Sequence, residues 1–273
     1  MARGIPAWQR LISEGFFASR EEAERWILSG KVRVGDIAVT SAGQMIQKDK
    51  PLVVRGFHQR YVSKGGLKLE GAFRDFSVSI DDRVCIDAGA STGGFTDCLL
   101  QHNARLVYAV DVGYGQLAGS LRNHPRVISM ERTNISDDAL LRLEPPPTIG
   151  VVDLSYLSLR KAIPQFARIM REKGELICLV KPLFEIESPL ARRTGVIADD
   201  AYAPLLQELI QSLTDDGFIV SGLTNSPVTG NQGTLEFFLW ISLWPDPHQA
   251  FACSPQIIEA AVSAAKALPL FHK

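Results

Sequence analysis

The 273-residue chain lacks any apolar run approaching the roughly 18–20 residues of a membrane span. Its longest candidate, Leu235 to Trp244, contains Glu236 and has the length of a strand. The opening MARGIPAWQRL holds no secretory h-region. Cysteine is scarce: Cys85, Cys98, Cys178 and Cys253 form no C-x-x-C pair, which argues against both a zinc site and a disulfide framework. These absences point to a reduced, cytoplasmic protein with buried thiols and no metal. Net charge is only −1, yet it is unevenly distributed. Residues 1–76 carry 13 Lys/Arg against 8 Asp/Glu, and residues 77–273 carry 16 against 22. A basic front end on an acidic body suits contact with a polyanion, although an ordinary solvated surface gives the same count.

The front end reads as a small α+β unit. Leu11, Ile12 and Phe16 have helical spacing, with Gly15 as a stop. Ser19 and Glu22 form a capping box for a second helix, whose stripe is Ala23, Trp26 and Ile27 and whose end is Gly30. Alternation from Lys31 to Val34, a Gly35-Asp36 turn and Ile37-Ala-Val-Thr then predict a hairpin.

A different pattern begins near residue 83. Apolar strands near 83–88, 105–111, 126–130, 149–154, 175–181, 217–223 and 234–243 alternate with helices near 94–102, 114–122, 137–142, 159–171 and 201–214. Such alternation predicts a doubly wound, mostly parallel seven-stranded sheet with ligands at the strand carboxyl ends. The last strand follows a loop rich in Pro227, Gly230 and Gly233, so an antiparallel addition is expected. Residues 183–199 read as a mobile loop over the site, and 254–267 as a terminal helix.

Val84-Cys-Ile-Asp87-Ala-Gly89-Ala-Ser-Thr-Gly93-Gly94-Phe95 reads as a strand, a tight turn and a helix start. Gly89 and Gly94 keep the outer spacing of a dinucleotide fingerprint, but Ser91 stands where the middle glycine would admit a pyrophosphate. S-adenosylmethionine, an adenosine with a charged amino-acid tail and no pyrophosphate, fits that loop. Asp111 ends the next strand, placed to take ribose hydroxyls. Lys68, Asp153, Lys181 and Glu236 lie at or beside strand-like runs. Ionisable groups there are costly unless paired, so two lysines and two carboxylates are expected to meet. Such a cluster suits activation of a hydroxyl.

Two resemblances sharpen these expectations. Ser19-Arg20-Glu-Glu-Ala23, Ile27 and Ser-Gly30-Lys31-Val32-Arg33-Val34 resemble the αL-type RNA-binding domain named after small-subunit ribosomal protein S-four. By that resemblance Arg20, Lys31 and Arg33 contact phosphates of structured RNA. Nearly the whole chain resembles the TlyA family, which joins such a module to an FtsJ (RrmJ)-type methyltransferase domain and methylates ribosomal RNA at ribose 2′-hydroxyls. The phrases that carry this are Ser63-Lys-Gly-Gly-Leu-Lys-Leu, Asp87-Ala-Gly-Ala-Ser-Thr-Gly-Gly-Phe-Thr, Asp111-Val-Gly-Tyr-Gly-Gln-Leu, Glu131-Arg-Thr-Asn, Asp153-Leu-Ser-Tyr, Leu179-Val-Lys-Pro-Leu-Phe-Glu and Leu235-Glu-Phe-Phe-Leu-Trp.

The resemblance implies a Rossmann-like class I methyltransferase fold with a small amino-terminal α+β RNA-binding domain. It divides the chain into an RNA-binding domain at 1–60, a linker and start of the catalytic domain at 61–82, a methyltransferase domain at 83–245 and a helical tail at 246–273. It implies Lys68, Asp153, Lys181 and Glu236 as a catalytic tetrad, with Lys181 beside the hydroxyl, the two carboxylates holding it and Lys68 orienting the ribose or completing the network. Asp87, Gly89, Ser91, Gly93, Gly94, Phe95, Asp111, Asn134 and Asp153 would form the cofactor site, with Asn134 near the adenine. Ribosomal RNA or ribosomal subunits would be the partner, without a membrane, and no feature specifies an oligomer. Two rival readings are a noncatalytic RNA-binding factor that keeps the pocket as a fold element, and a membrane-active hemolysin. The intact tetrad opposes the first, and the lack of a spanning or basic amphipathic segment opposes the second.

Overall fold

The computed structural model describes residues 4–268 apart from 15, 18, 48–49, 57–59, 172, 231–232 and 244–252; Gly15 lies outside the described residues. The front end holds β1 (Ile5–Pro6), α1 (Ala7–Ser13), α2 (Arg20–Leu28), β2 (Val32–Val34), β3 (Ile37–Ala38), β4 (Met45–Ile46) and β5 (Leu52–Val54). The hydroxyl oxygen of Ser19 accepts from the Glu22 amide at 3.2 Å, so Ser19 caps the start of α2, and left-handed Gly30 follows its end. β2 pairs with β3 through the Gly35-Asp36 turn and with β5, while β1 pairs with β4. Ala7, Leu11, Ala23, Ile27 and Val32 fill a core separate from that of the body.

Next in the chain come α3 (Lys64–Asp75), β6 (Val84–Ala88), α4 (Gly94–Gln101), β7 (Leu106–Asp111), α5 (Gly119–Arg122), β8 (Val127–Glu131), a 3₁₀ turn (Asp138–Arg142) and β9 (Ile149–Val152). α6 (Leu159–Ile169), β10 (Glu175–Val180), α7 (Pro182–Glu185), α8 (Pro189–Thr194), α9 (Tyr202–Asp215), β11 (Ile219–Asn225), β12 (Phe237–Ser242) and α10 (Pro255–Lys266) complete it. The sheet order is β11-β12-β10-β9-β6-β7-β8. β12 runs antiparallel to both β10 and β11, as the loop before it led one to expect; the β10-β9-β6-β7-β8 pairings are parallel.

Strands in a sheet covered on both faces read as continuous apolar runs. Alternate residues serve opposite layers. Ile86, Val110, Val152 and Leu239 pack on one face with Phe166 of α6 and Leu206 of α9. Cys85, Val107, Val151 and Phe238 pack on the other with Leu69 of α3 and Leu99 of α4. Three segments differ from the sequence reading. α3 lies where a linker was expected, and the 183–199 stretch holds two short helices, α7 and α8, the second closed by left-handed Gly195. The helix expected over 114–122 shortens to α5, because left-handed Gly115 precedes it.

Candidate active site

Chain order reverses on either side of β6, which opens a crevice at the carboxyl ends of β6 and β9. Register sets what faces it. Ala88 pairs with both Val110 and Val152, so Gly89, Asp111 and Asp153 emerge at one level. Val180 pairs with Phe237 of antiparallel β12, which puts Lys181 and Glu236 at the same rim although 55 positions separate them. Lys68 arrives from α3. The amino-terminal ends of α3 and α4 meet closely there: a Cβ on Gly94 would lie 2.2 Å from Ser63 Oγ and 2.8 Å from the Gly66 nitrogen. The Gly65-Gly66 and Gly93-Gly94 pairs therefore let two helix starts converge and carry Lys68 inward.

These side chains form two ion pairs around a polar cavity of about 240 Å³. Lys181 Nζ lies 2.5 Å from Asp153 Oδ1 and donates to Ser155 Oγ at 2.6 Å. Lys68 pairs with Glu236, and both side chains are 6% exposed. Gly230 wraps the glutamate so closely that a Cβ there would meet Glu236 Oε1 at 2.2 Å. Lys64, not singled out from the sequence, lines the same cavity. Burial first, then the nearby Lys68, hold its ammonium below its ordinary pKa, against the opposing pull of Glu236 and Asp153. The signal was available, since Lys64 opens the same Ser63-Lys-Gly-Gly phrase.

A second cavity, of about 280 Å³, spans the ends of β6, β7 and β9. Its wall includes Gly89, Ser91, Asp111, Gln116, Ile135 and Tyr156, and Asp153 and Lys181 border it on the tetrad side. Gly89 is required by its φ of +85° and by the Asp153 carbonyl, 2.3 Å from where a Cβ would sit. Ser91 takes a left-handed φ of 49°, unusual for a non-glycine residue. Its amide donates to Asp111 Oδ2 at 2.8 Å, and the Gly113 amide donates to Oδ1 at 2.7 Å. Asp111 thus holds the loop while facing the cavity. Apolar Val112, Ile135 and Leu154 beside a carboxylate fit an adenosine: a flat base against the hydrophobic wall and hydroxyls at the acid.

Other expected cofactor residues stand elsewhere. Gly93 caps α4 in a left-handed conformation, and Gly94 and Phe95 line the tetrad cavity. Asp87 is completely buried behind the loop; its Oδ2 accepts from Thr96 Oγ1 at 2.6 Å and its Oδ1 has no hydrogen-bond partner. Burial pushes its pKa up to about 7, with Asp153 and Asp111 adding to the rise against the Thr96 hydrogen bond. Asn134 folds onto Ser136, accepting from its amide at 3.0 Å and its hydroxyl at 2.9 Å, and its neighbours Thr133 and Ile135 face the cavity instead.

On the front-end unit, Arg20 pairs with Glu24 at 2.7 Å and lies over Trp8, Lys31 lies over Trp26, and Arg33 donates to the Asp36 carbonyl. Among the described residues one group has metal-ligating geometry, namely Glu70, Cys98 and His102. The Glu70 carboxylate there already binds Tyr61 at 2.6 Å, Arg60 at 2.8 Å and His102 at 2.8 Å, which makes it a hydrogen-bonded hub joining α3 to α4. No described helix is long and apolar enough to cross a membrane.

The strand order, with its single antiparallel strand, and the crevice beside a Gly-rich loop define a Rossmann-like class I methyltransferase. The FtsJ-like methyltransferase family model matches residues 61–243, and the S4 domain model matches residues 9–50. The chain is 40% identical over 247 residues to YqxC of Bacillus subtilis, a candidate rRNA methyltransferase, covering 88% of this chain and 85% of that one. It is 36% identical over 254 residues to the 16S/23S rRNA (cytidine-2′-O)-methyltransferase TlyA of Mycobacterium tuberculosis, covering 90% and 92%. A solved structure of a candidate hemolysin from Streptococcus thermophilus superposes with a TM-score of 0.74 at 35% identity, covering 97% of each chain. This chain belongs to the TlyA family of FtsJ-like methyltransferases.

Proposed function

We infer that the chain methylates ribose 2′-hydroxyls of ribosomal RNA with S-adenosylmethionine as donor. The observation that carries this reading is the Lys181–Asp153 pair, set on the wall between the adenosine-shaped cavity and the ion-paired one. Asp111, Ser91, Gln116 and Ile135 would hold the adenosine. Bound S-adenosylmethionine supplies an electrophilic methyl group on a sulfonium.

The residues of the chain do the rest. Asp153 and Ser155 fix the Lys181 ammonium, so that a ribose hydroxyl arriving there meets a positioned donor rather than a floppy one. Charge that develops on the oxygen is stabilised by that ammonium without reorganisation. The hydroxyl proton has Asp153, beside the lysine, as its path to water. Holding oxygen and methyl in line is worth up to ~7–11 kcal/mol of the barrier. The Lys68–Glu236 pair stiffens the opposite wall, and Lys64 adds a third cation for the negatively charged backbone of an RNA. Residues 1–60, with Arg20, Lys31 and Arg33, would bring structured RNA to a methyltransferase unit at 83–245, with 61–82 between them and a tail at 246–273. A ribosomal substrate would be met in the cytoplasm.

The test is transfer of labelled methyl from S-adenosylmethionine to ribosomal subunits from cells lacking this gene. Label at ribose 2′-positions is expected with the native chain. Lys181→Ala should lose roughly 100- to 1,000-fold in rate while cofactor affinity stays within twofold. Tight cofactor binding without transfer to either subunit would instead point to another RNA substrate or to a noncatalytic RNA-binding factor.

A further inference from the structure

Away from the crevice, Glu70 of α3 faces Cys98 of α4 and His102, the residue that caps the end of α4. Cys98 and His102 stand four positions apart, so their side chains leave the same face of the helix. Cys98 Sγ lies 3.9 Å and His102 Nε2 2.8 Å from Glu70 Oε2, and the three donor atoms all fall within 4.8 Å of one another. Cys98 is fully buried, whereas the side chains of Glu70 and His102 are 28% and 35% exposed. The thiol is therefore the floor of a polar notch, and an imidazole and a carboxylate form its mouth.

We propose that this notch is a zinc site, with Cys98, His102 and Glu70 as ligands and the fourth position open to water at the mouth. It stands apart from the methyl-transfer reading. The donor set selects the ion: thiolate, imidazole and carboxylate together suit a borderline-soft divalent cation, where calcium or magnesium would ask for oxygen alone. Tetrahedral zinc with bonds of ~2.0–2.3 Å sets its donor atoms ~3.3–3.6 Å apart. The carboxylate oxygen must withdraw from the imidazole by roughly 0.5 Å and approach the sulfur by roughly 0.4 Å, shifts within reach of side-chain torsions. Tyr61 donates to Glu70 Oε2 at 2.6 Å, and Phe73 meets the His102 ring edge-on at 5.0 Å, so two of the ligands are already held in place. Arg60 is the competitor, 2.8 Å from Glu70 Oε1, but its side chain is 58% exposed and such a pair opens at little cost. Binding releases the Cys98 thiol proton to solvent and requires the His102 hydrogen on Nδ1, which leaves the Nε2 lone pair to the metal. The ion would tie α3 to α4 further along the two helices whose starts meet at the tetrad cavity. The expectation of no metal rested on the lack of paired cysteines, whereas these ligands come singly from two helices.

The test is titration of the metal-stripped full chain with zinc chloride against a chromophoric chelator, then with cobalt chloride. One equivalent of zinc should bind with a dissociation constant of about 1 µM or below, and cobalt should give thiolate-to-metal charge-transfer absorption. Cys98→Ser should abolish that absorption. Cys98→Ser and His102→Gln should each weaken zinc by more than the roughly 10- to 100-fold that loss of a group supporting a ligand costs. Cys253→Ser, which changes a thiol outside the notch, should alter neither reading. His102 is at the surface, so His102→Gln tests the site even if the serine variant of buried Cys98 folds poorly. Absence of a tight equivalent in the native chain, zinc affinity unchanged in His102→Gln, or a cobalt spectrum without the thiolate band would overturn the site. None of these results bears on methyl transfer, whose own test is separate.

Discussion

Asp87→Asn isolates one buried charge and makes a prediction with a definite sign. The carboxyl is wholly buried, its Oδ1 lacks a partner, and burial lifts its pKa from 3.8 to about 7. A folded-state pKa above the unfolded value means that the native state binds the proton more tightly. The stabilisation is complete below pH 3.8 and disappears as pH rises through about 7. At about 1.4 kcal/mol per pH unit, the whole window is worth roughly 4 kcal/mol. Asparagine removes this titration but keeps an oxygen for Thr96. Its amide nitrogen would then occupy the unpartnered position, a pH-independent cost of roughly 1–3 kcal/mol. By pH 5 the native chain has lost roughly 1.7 kcal/mol of that window, so the variant should lie within about 1 kcal/mol of it there and exceed it at pH 8. The measurement is urea unfolding of the cofactor-free protein from pH 5 to pH 8 at constant ionic strength. Native and variant stabilities that run parallel across that range would refute the assignment of a raised pKa to Asp87. Because Asp87 lies behind the loop, the variant should still bind cofactor.

Two further perturbations separate charge from packing. Glu236→Gln leaves the Lys68 ammonium buried without its counter-ion and should cost roughly 3–5 kcal/mol; Lys68→Met with Glu236→Leu should recover most of that in urea unfolding while methyl transfer stays absent. Replacing Arg20, Lys31 and Arg33 together by Gln should weaken RNA binding and reduce the slope of log affinity against log salt by roughly 0.7–0.9 for each phosphate that is no longer neutralised. An unchanged slope would remove these three from the RNA interface.

What the sequence revealed and what it concealed divide along a physical line. Strand ends were legible: a strand buried on both faces is a continuous apolar run, and the polar residue that breaks it marks the rim. Asp111 and Asp153 stand at one level because Ala88 pairs with both Val110 and Val152, and Lys181 and Glu236 meet because Val180 pairs with Phe237, two residues beyond the Cys178–Val152 pair. Asp87, which the resemblance places at the cofactor, shows how fine that line is. It interrupts its run one residue before the strand ends, and in a pleated strand that one residue decides whether a carboxyl reaches the crevice or is sealed beneath it, as Asp87 is. Helix-borne contributions were hidden for another reason. Gly65 and Gly66 look like a linker, since glycine is a poor helix former, and only the approach of Gly94 from α4 explains why a helix begins there. Asn134 is set by a local turn, its side-chain oxygen accepting from the amide and hydroxyl of Ser136, two residues away. In each case a neighbour distant along the chain, or a turn too local for a motif to express, decided where the side chain went. Asp153, Lys181 and Glu236 could be anticipated because strand ends converge by topology alone, whereas Lys64, although its phrase marks it in the sequence, reaches the cavity only through how α3 packs against it.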